Sequence, residues 1–552
     1  MKNRLFDGIS ILLILVAIYA LNHQLTTIAD VHMGDEAFYL YQGISNFRLG
    51  LQTDWGPAYS LWYKFLSFFQ PDTIRLYYLN MFLMSSLPTI VLYVALRVAG
   101  FRWYWALYCT LAFHFSRMNF PEGVKVSILL FLLTLLVFIV GARYLRHRLH
   151  LACALLTLTY GVFAYFRPEF VVPFGGCFVL LIGVTIWFKQ SFYPIAGVAV
   201  VILLLFFGVG SPLSEKGEKA FKQDFSYNYT MRHPEDTRLR QYNNWVDSEV
   251  MSQLIFGERV SGFGDALINH PKLVLGDHLL PNIYNLSVQL IGILGTYFTP
   301  LTYLPGVAAL DPLWHRKLTW LLLLMGFLAV VSVRQTARAV GQMVMDNPWL
   351  YIVATTAIIA PIASSVYSMG IKIRYLPPFY FFIPVVAGTL LVSLRVRPWL
   401  SQRVDLRKPI NPSTRGILTV LFVLGLVAWM FRESEYQTPA KTNDKDLIKY
   451  TQKLTASVTD RDQIRMFENP DALTTYLGGI AIAYERYKRN TDFYKFVKQN
   501  DINLIIFRPE IVQYYSNDTS IQRFIEHPPQ AFVRKPGFYP NTYTFIRQDL
   551  LN

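Results

Sequence analysis

The chain has 552 residues, 53% of them hydrophobic and only 16% charged, with a formal net charge of +15. That balance is too apolar for a water-soluble protein of this length, and the Lys and Arg surplus sits in short loops between apolar runs. This is the positive-inside pattern of a polytopic membrane protein rather than the footprint of a nucleic-acid binder.

In chain order, MKNRLFDGIS leads into an apolar run that is long and lacks a small-residue cleavage site before Asn22 and His23, so it reads as an uncleaved first helix. Apolar stretches of spanning length then fall near 8–25, 76–96, 103–116, 126–142, 150–165, 170–188 and 192–210. Lys2 and Arg4, then Arg97 and Arg102, then Arg143, Arg146 and Arg148, then Lys189 all land on one side, which makes that side cytoplasmic. The loop carrying Asp35 and Glu36 is therefore outside. Cys109, Cys153 and Cys177 all lie within apolar segments, so the outward-facing parts need no disulfide framework.

The stretch from Ser211 to Leu310 either crosses the membrane near its end or lies at its surface. If it crosses, Arg397, Arg403, Arg407 and Lys408 all end outside; if Asn285 to Leu304 is interfacial or re-entrant, only His315, Arg316 and Lys317 are misplaced. The second arrangement is the expected one. Further spans then fall near 318–333, 349–367, 376–394 and 416–431, for about eleven helices in total, N-terminus inside and C-terminus outside. Beyond Arg432 the composition becomes that of a soluble unit. QIRMF and INLIIF read as strands, LTTYLGG, FYKFVKQN and IVQYYSNDTSIQRFIEH as helices, and TYTFIR as a closing strand. The expected fold is an α-helical polytopic membrane domain over 1–431, with a first outer loop at 26–75 and a long outer segment at 211–317, followed by a small α/β extracytoplasmic domain over 432–552. No internal repeat of fixed period is present.

Two adjacent carboxylates, Asp35 and Glu36, open GDEAFYLYQG at the mouth of the first span. There a carboxylate stays ionised and can serve as a base or a metal ligand, or simply as a solvated loop acid. The acids are followed by a stretch of helical spacing and then a Trp-Gly-Pro turn, TDWGP, in which Asp54 reads as a turn residue. This loop resembles the first outer loop of the GT-C glycosyltransferases. FRPEF at Phe166 to Phe170 is similar to the Arg-Pro-Glu at an outer helix junction of bacterial members, and IKIRYLPPFYFFIP at Ile371 to Pro384 to their Arg-Tyr-x-x-Pro entry into a late span. The layout of many spans and then a small outer α/β domain most resembles the bacterial protein mannosyltransferase-like and aminoarabinose-transferase-like proteins.

The resemblance implies a transferase in the bacterial inner membrane that takes its sugar from a polyprenyl-phosphate donor and passes it to a lipid, glycan or protein acceptor. Asp35 matches the first acidic position and is the expected base for the acceptor hydroxyl. Arg374, Lys372 and Arg167, at outer helix mouths, are the expected ligands of the donor phosphate. Glu36 is a candidate ligand for a divalent cation, for which hard oxygen donors favour Mg²⁺ or Mn²⁺, or else a structural partner. Each residue also has a plainer reading. Lys372 and Arg374 fit interfacial anchors, and Arg167 and Glu169 a structural pair across Pro168; Glu122, with Arg117 on the same loop, is either a second acidic ligand or a helix-start carboxylate after proline, so that Glu169, Glu122, Arg117 and Tyr375 are read as substrate or structural residues. Tyr39, Trp55 and Tyr375 are aromatics suited to stacking on a sugar or lining a lipid groove. His233, His270 and His278 lack the spacing of a metal site. The rival function is a transporter or flippase of lipid-linked saccharides. It calls for ionisable or helix-breaking residues near the midplane of paired spans, whereas the charges here collect at helix ends.

Overall fold

The computed structural model describes residues 2–286, 289, 378–381, 384–385 and 443–551, apart from short breaks at 24, 32, 46–55, 117–118, 120–124, 146–147, 213–215, 241, 245–246, 459–462, 469–472, 483–485, 489–490, 516 and 540–541. The helices begin with α1 (Lys2–Asn22), followed by α2 (Leu25–Ile28), α3 (Asp35–Ser45) and α4 (Pro57–Ser67) in the first loop. Next come α5 (Thr73–Val98), α6 (Trp103–His114), α7 (Val126–Tyr144), α8 (Leu149–Phe163), α9 (Val171–Trp187) and α10 (Tyr193–Val209). Each expected N-terminal span thus coincides with a helix to within a few residues. Among the described residues, four segments are long and apolar enough to cross a membrane: Leu5–Asn22, Thr73–Val98, Val126–Tyr144 and Pro168–Trp187; α8 and α10 are shorter apolar helices. On α10, Leu203, Leu204, Phe206 and Phe207 are exposed and only Val198 is buried. An apolar helix with its side chains turned outward suits hydrocarbon rather than water. The expected interfacial stretch to Leu304 and the four later spans lie almost wholly outside the described residues. From the third of these, Tyr380 and Phe381 set their rings on Phe113 of α6 (5.2 Å) and Phe138 of α7 (4.7 Å).

Buried polar groups join α1, α5 and α6. Asn22 Nδ2 donates to Ser86 Oγ (3.3 Å) and Asn22 Oδ1 accepts from Ser85 Oγ (2.8 Å). His114 bridges Thr89 Oγ1 (3.1 Å) and the Ala17 carbonyl (3.1 Å). In an apolar medium such bonds hold helices together where the hydrophobic effect cannot. At the far ends of α1 and α5 from the first loop, Arg97 pairs with Asp7 at 2.7 Å.

After α10, α11 (Lys216–Arg232), α12 (Ser248–Phe256), α13 (Phe263–Asn269) and α14 (Pro271–Leu273), which runs on into a π-helical turn at Val274–Leu279, close over a core of Phe221, Phe225, Phe256, Val260, Ala266 and Val274. His278, fully buried against Phe221 with ring centroids 5.0 Å apart, has its pKa lowered to about 4 by burial.

The C-terminal residues form α15 (Asn443–Leu454), β1 (Arg465–Phe467), α16 (Leu473–Leu477), β2 (Ile480–Ile482), α17 (Phe493–Gln499), β3 (Leu504–Ile506), α18 (Pro509–Tyr514), α19 (Thr519–Glu526), β4 (Phe532–Pro536) and β5 (Tyr543–Arg547). The sheet order is β2-β1-β3-β5-β4, with β2, β1 and β3 parallel and β5 antiparallel to both β3 and β4. Three details differ from the sequence expectation. The helix expected over 511–527 is broken, because Asp518 Oδ1 accepts from Ser520 N and Ile521 N, both at 3.0 Å, and starts a new helix there. Gly478 and Gly479 lie beyond α16 rather than in it, with φ of 79° and 97°. Strands β2 and β4 have no counterpart in that expectation, since three apolar residues in one and an adjacent Arg-Lys pair ending in Pro in the other give little periodic signal.

The sheet has two buried faces. Phe467, Ile505 and Phe545 point to one core, shared with Phe493 and Phe524 of the covering helices. Their neighbours Met466, Leu504 and Ile546 point the other way, into the same continuous core as Ile14, Tyr77 and Leu129 of the apolar bundle. The period of two along each strand thus joins the C-terminal unit to the bundle.

Candidate functional site

Helix α3 begins at Asp35, so both acids lie in its first turn, where negative charge is favoured. Successive residues on a helix point about 100° apart, and this separates their fates. Asp35 is partly exposed, whereas Glu36 is fully buried.

Glu36 Oε1 accepts from Tyr59 Oη (2.6 Å), Tyr63 Oη and Asn80 Nδ2 (2.8 Å), and Oε2 accepts from the Lys125 backbone N–H (2.9 Å). Donors from α4, α5 and the start of α7 therefore converge on one carboxylate. Burial raises its pKa, opposed by the two phenols, the Lys125 N–H and the Lys125 charge. Burial and the same carboxylate push the Tyr59 and Tyr63 hydroxyls well above their ordinary range. A cation at Glu36 would have to displace these donors, and no group of three or more His, Cys, Asp and Glu that could hold a metal occurs among the described residues. The described residues around Glu36 fit a structural hub and do not by themselves fit a metal site.

Gly56 and Ala58 meet the start of FRPEF, more than a hundred residues away in sequence. Ala58 N donates to the Tyr165 carbonyl at 3.1 Å. Gly56, with φ of 76°, packs so closely that an added Cβ would lie 2.0 Å from the Phe166 carbonyl oxygen. Immediately after this contact Arg167 Nε binds Glu169 Oε1 across Pro168, with both side chains largely buried. Tyr39 of α3, 6% exposed, packs edge-on against Tyr59 at 4.9 Å. Its hydroxyl is held protonated mainly by burial, and the charges of Arg167, Asp35, Glu169 and Glu36 all bear on it. Asp35, Arg167 and Glu169 thus all act electrostatically on one buried phenol at the end of the bundle that carries the first loop.

Arg117, Glu122, Lys372, Arg374 and Tyr375 lie outside the described residues, as do Asp54 and Trp55. Tyr59, Tyr63, Asn80 and Lys125 were not singled out from sequence. Asn80 offered one signal, an amide within an apolar span. The tyrosines offered none among so many aromatics.

The C-terminal unit seats on this same end. Asp30 accepts from Asp444 N (2.9 Å) and Lys445 N (3.0 Å), capping α15 from across the molecule. Lys445 Nζ reaches the Thr26 carbonyl at 3.0 Å, and Thr475 Oγ1 of α16 donates to the Ala37 carbonyl of α3 at 3.4 Å. Compared with models of known protein families and with curated proteins, the chain matches none.

Proposed function

We propose that the protein is an integral-membrane glycosyltransferase that moves a sugar from a polyprenyl-phosphate donor to an acceptor hydroxyl on the extracytoplasmic side. The feature that supports this reading is that Asp35 and the largely buried Arg167–Glu169 pair act electrostatically on the same buried phenol, Tyr39, at the end of the bundle on which the C-terminal unit seats. Asp35 takes the proton of the acceptor hydroxyl as its oxygen attacks the anomeric carbon. The bond from that carbon to the phosphate oxygen breaks in the same displacement, which inverts the centre and releases the lipid phosphate with the bonding electrons. Glu169 fixes the orientation of the Arg167 guanidinium, whose charge stabilises the departing phosphate. Arg374 and Lys372 are the further phosphate ligands in this reading. No step runs through a metal ion.

The test is sugar transfer by the purified full-length protein, supplied with a panel of polyprenyl-phosphate sugars. Asp35→Asn should lower the rate at least about 100-fold with little change in donor binding. Failure of the wild type to consume any donor, or equal rates for the two proteins, overturns the reading.

A further inference from the structure

The C-terminal unit brings to the first loop a cation that the chemistry above does not use. Arg508, between β3 and α18, directs Nη1 at the Sδ of Met33, 3.7 Å away. Its Nε is shielded from solvent and has no hydrogen-bond partner, although the residue as a whole is only half-buried. A thioether is a weak, neutral acceptor, so this contact does little for a guanidinium that has lost part of its hydration. Among the described residues, Arg508 acts electrostatically on the carboxyl of Glu468. That side chain is 1% exposed, and its oxygens already accept from Leu473 N (3.1 Å) and Thr474 N (2.7 Å).

The position of this cation matters. Only Gly34 separates Met33 from Asp35, which keeps the two Cα atoms within about 7 Å. The seam follows the end of α1 and faces the start of α5, two helices long and apolar enough to cross a membrane, and the ends of such helices fall at the level of lipid headgroups. A planar guanidinium with an unpartnered Nε and only a thioether at Nη1 suits the oxygens of a phosphate at that level.

We propose that Arg508 binds a phosphate group presented by a lipid beside Asp35, so that the C-terminal unit supplies part of the site. In the form in which that lipid is the sugar donor or its polyprenyl-phosphate product, the proposal rests on the function proposed above. The same chemistry is offered by an anionic phospholipid, and the two sources are separable.

The experiment uses the full-length protein in phosphatidylcholine nanodiscs, with polyprenyl monophosphate, neutral polyprenol and phosphatidylglycerol as probes, read by native mass spectrometry. Arg508→Gln should weaken binding of polyprenyl monophosphate about tenfold and leave polyprenol unchanged, the loss expected for one charge-assisted contact. Met33→Glu serves if Arg508→Gln fails to fold, because it sets a carboxylate against the guanidinium and should block the phosphate while keeping the seam intact. If the loss falls on phosphatidylglycerol instead, the phosphate site stands and its ligand is a phospholipid. Retention of wild-type binding to both anionic lipids by a folded Arg508→Gln or Met33→Glu protein overturns the proposal. That result would leave the transfer reaction, measured separately with Asp35→Asn, untouched.

Discussion

Three acids at one end of the molecule show how much a residue's role depends on its surroundings. Asp35 is partly exposed in the first turn of α3, Glu36 is buried beneath four donors, and Glu468 is buried at the start of α16. Sequence singled out the adjacent pair but could not separate its members, because the donors to Glu36 come from residues as distant as Lys125. Glu468 gave no signal, standing outside any recognisable motif. Its carboxyl is raised from 4.5 to about 7 by burial, opposed by the Arg508 charge and the N–H groups of Thr474 and Leu473. The folded chain therefore holds this proton between pH 4.5 and about 7 while the unfolded chain releases it. Stability must fall as pH rises through that window, by up to roughly 1 kcal/mol per pH unit, and stay level beyond it. Glu468→Gln removes the slope while costing about 1 kcal/mol at all pH values for a mismatched N–H. Thermal unfolding of the full chain in detergent at pH 5 and pH 8 should show the variant gaining on wild type at the higher pH; parallel profiles would refute it.

Elements were more legible than their contacts. Length and apolarity placed α1 and α5 to α10, and the turn residues placed the break before α4, because these signals are local. The meeting of Gly56 and Ala58 with the start of FRPEF is not local and left no trace in either stretch. Gly56 is where it can be tested. An alanine there meets a left-handed φ of 76° and the Phe166 carbonyl oxygen at 2.0 Å. The strain alone is worth about 1–2 kcal/mol, and the clash forces α4 away from the α8–α9 junction. Gly100 has a φ of 93° but open space around its absent side chain, so Gly100→Ala carries the strain without the clash. Gly56→Ala should lower the unfolding midpoint more than Gly100→Ala and should also reduce sugar transfer, which Gly100→Ala leaves near wild type. Equal losses in both assays would mean that close packing at the junction does not organise the site.

At the scale of the whole molecule, the change of composition after Arg432 announced a separate unit, and the strands around Met466 and Leu504 announced a sheet. What sequence could not disclose is that the sheet's second face continues the bundle's own core. An apolar residue at every other position marks a buried face without naming what buries it. The most directional link between the two parts is Asp30, whose carboxylate caps α15 through Asp444 N and Lys445 N. Asp30→Ala removes that cap at a cost of about 0.5–2 kcal/mol, by the usual worth of such residues. Because the cap comes from the first loop, the loss falls on docking as well as on the helix, whereas the β1–β3 and β3–β5 ladders keep their own hydrogen bonds. Hydrogen–deuterium exchange of the full-length protein should therefore quicken over 443–454 and 473–477 in Asp30→Ala and stay slow over 504–506 and 543–547. Uniform quickening would show that the C-terminal unit folds only with the bundle. No change would show that the shared apolar core seats it without the cap.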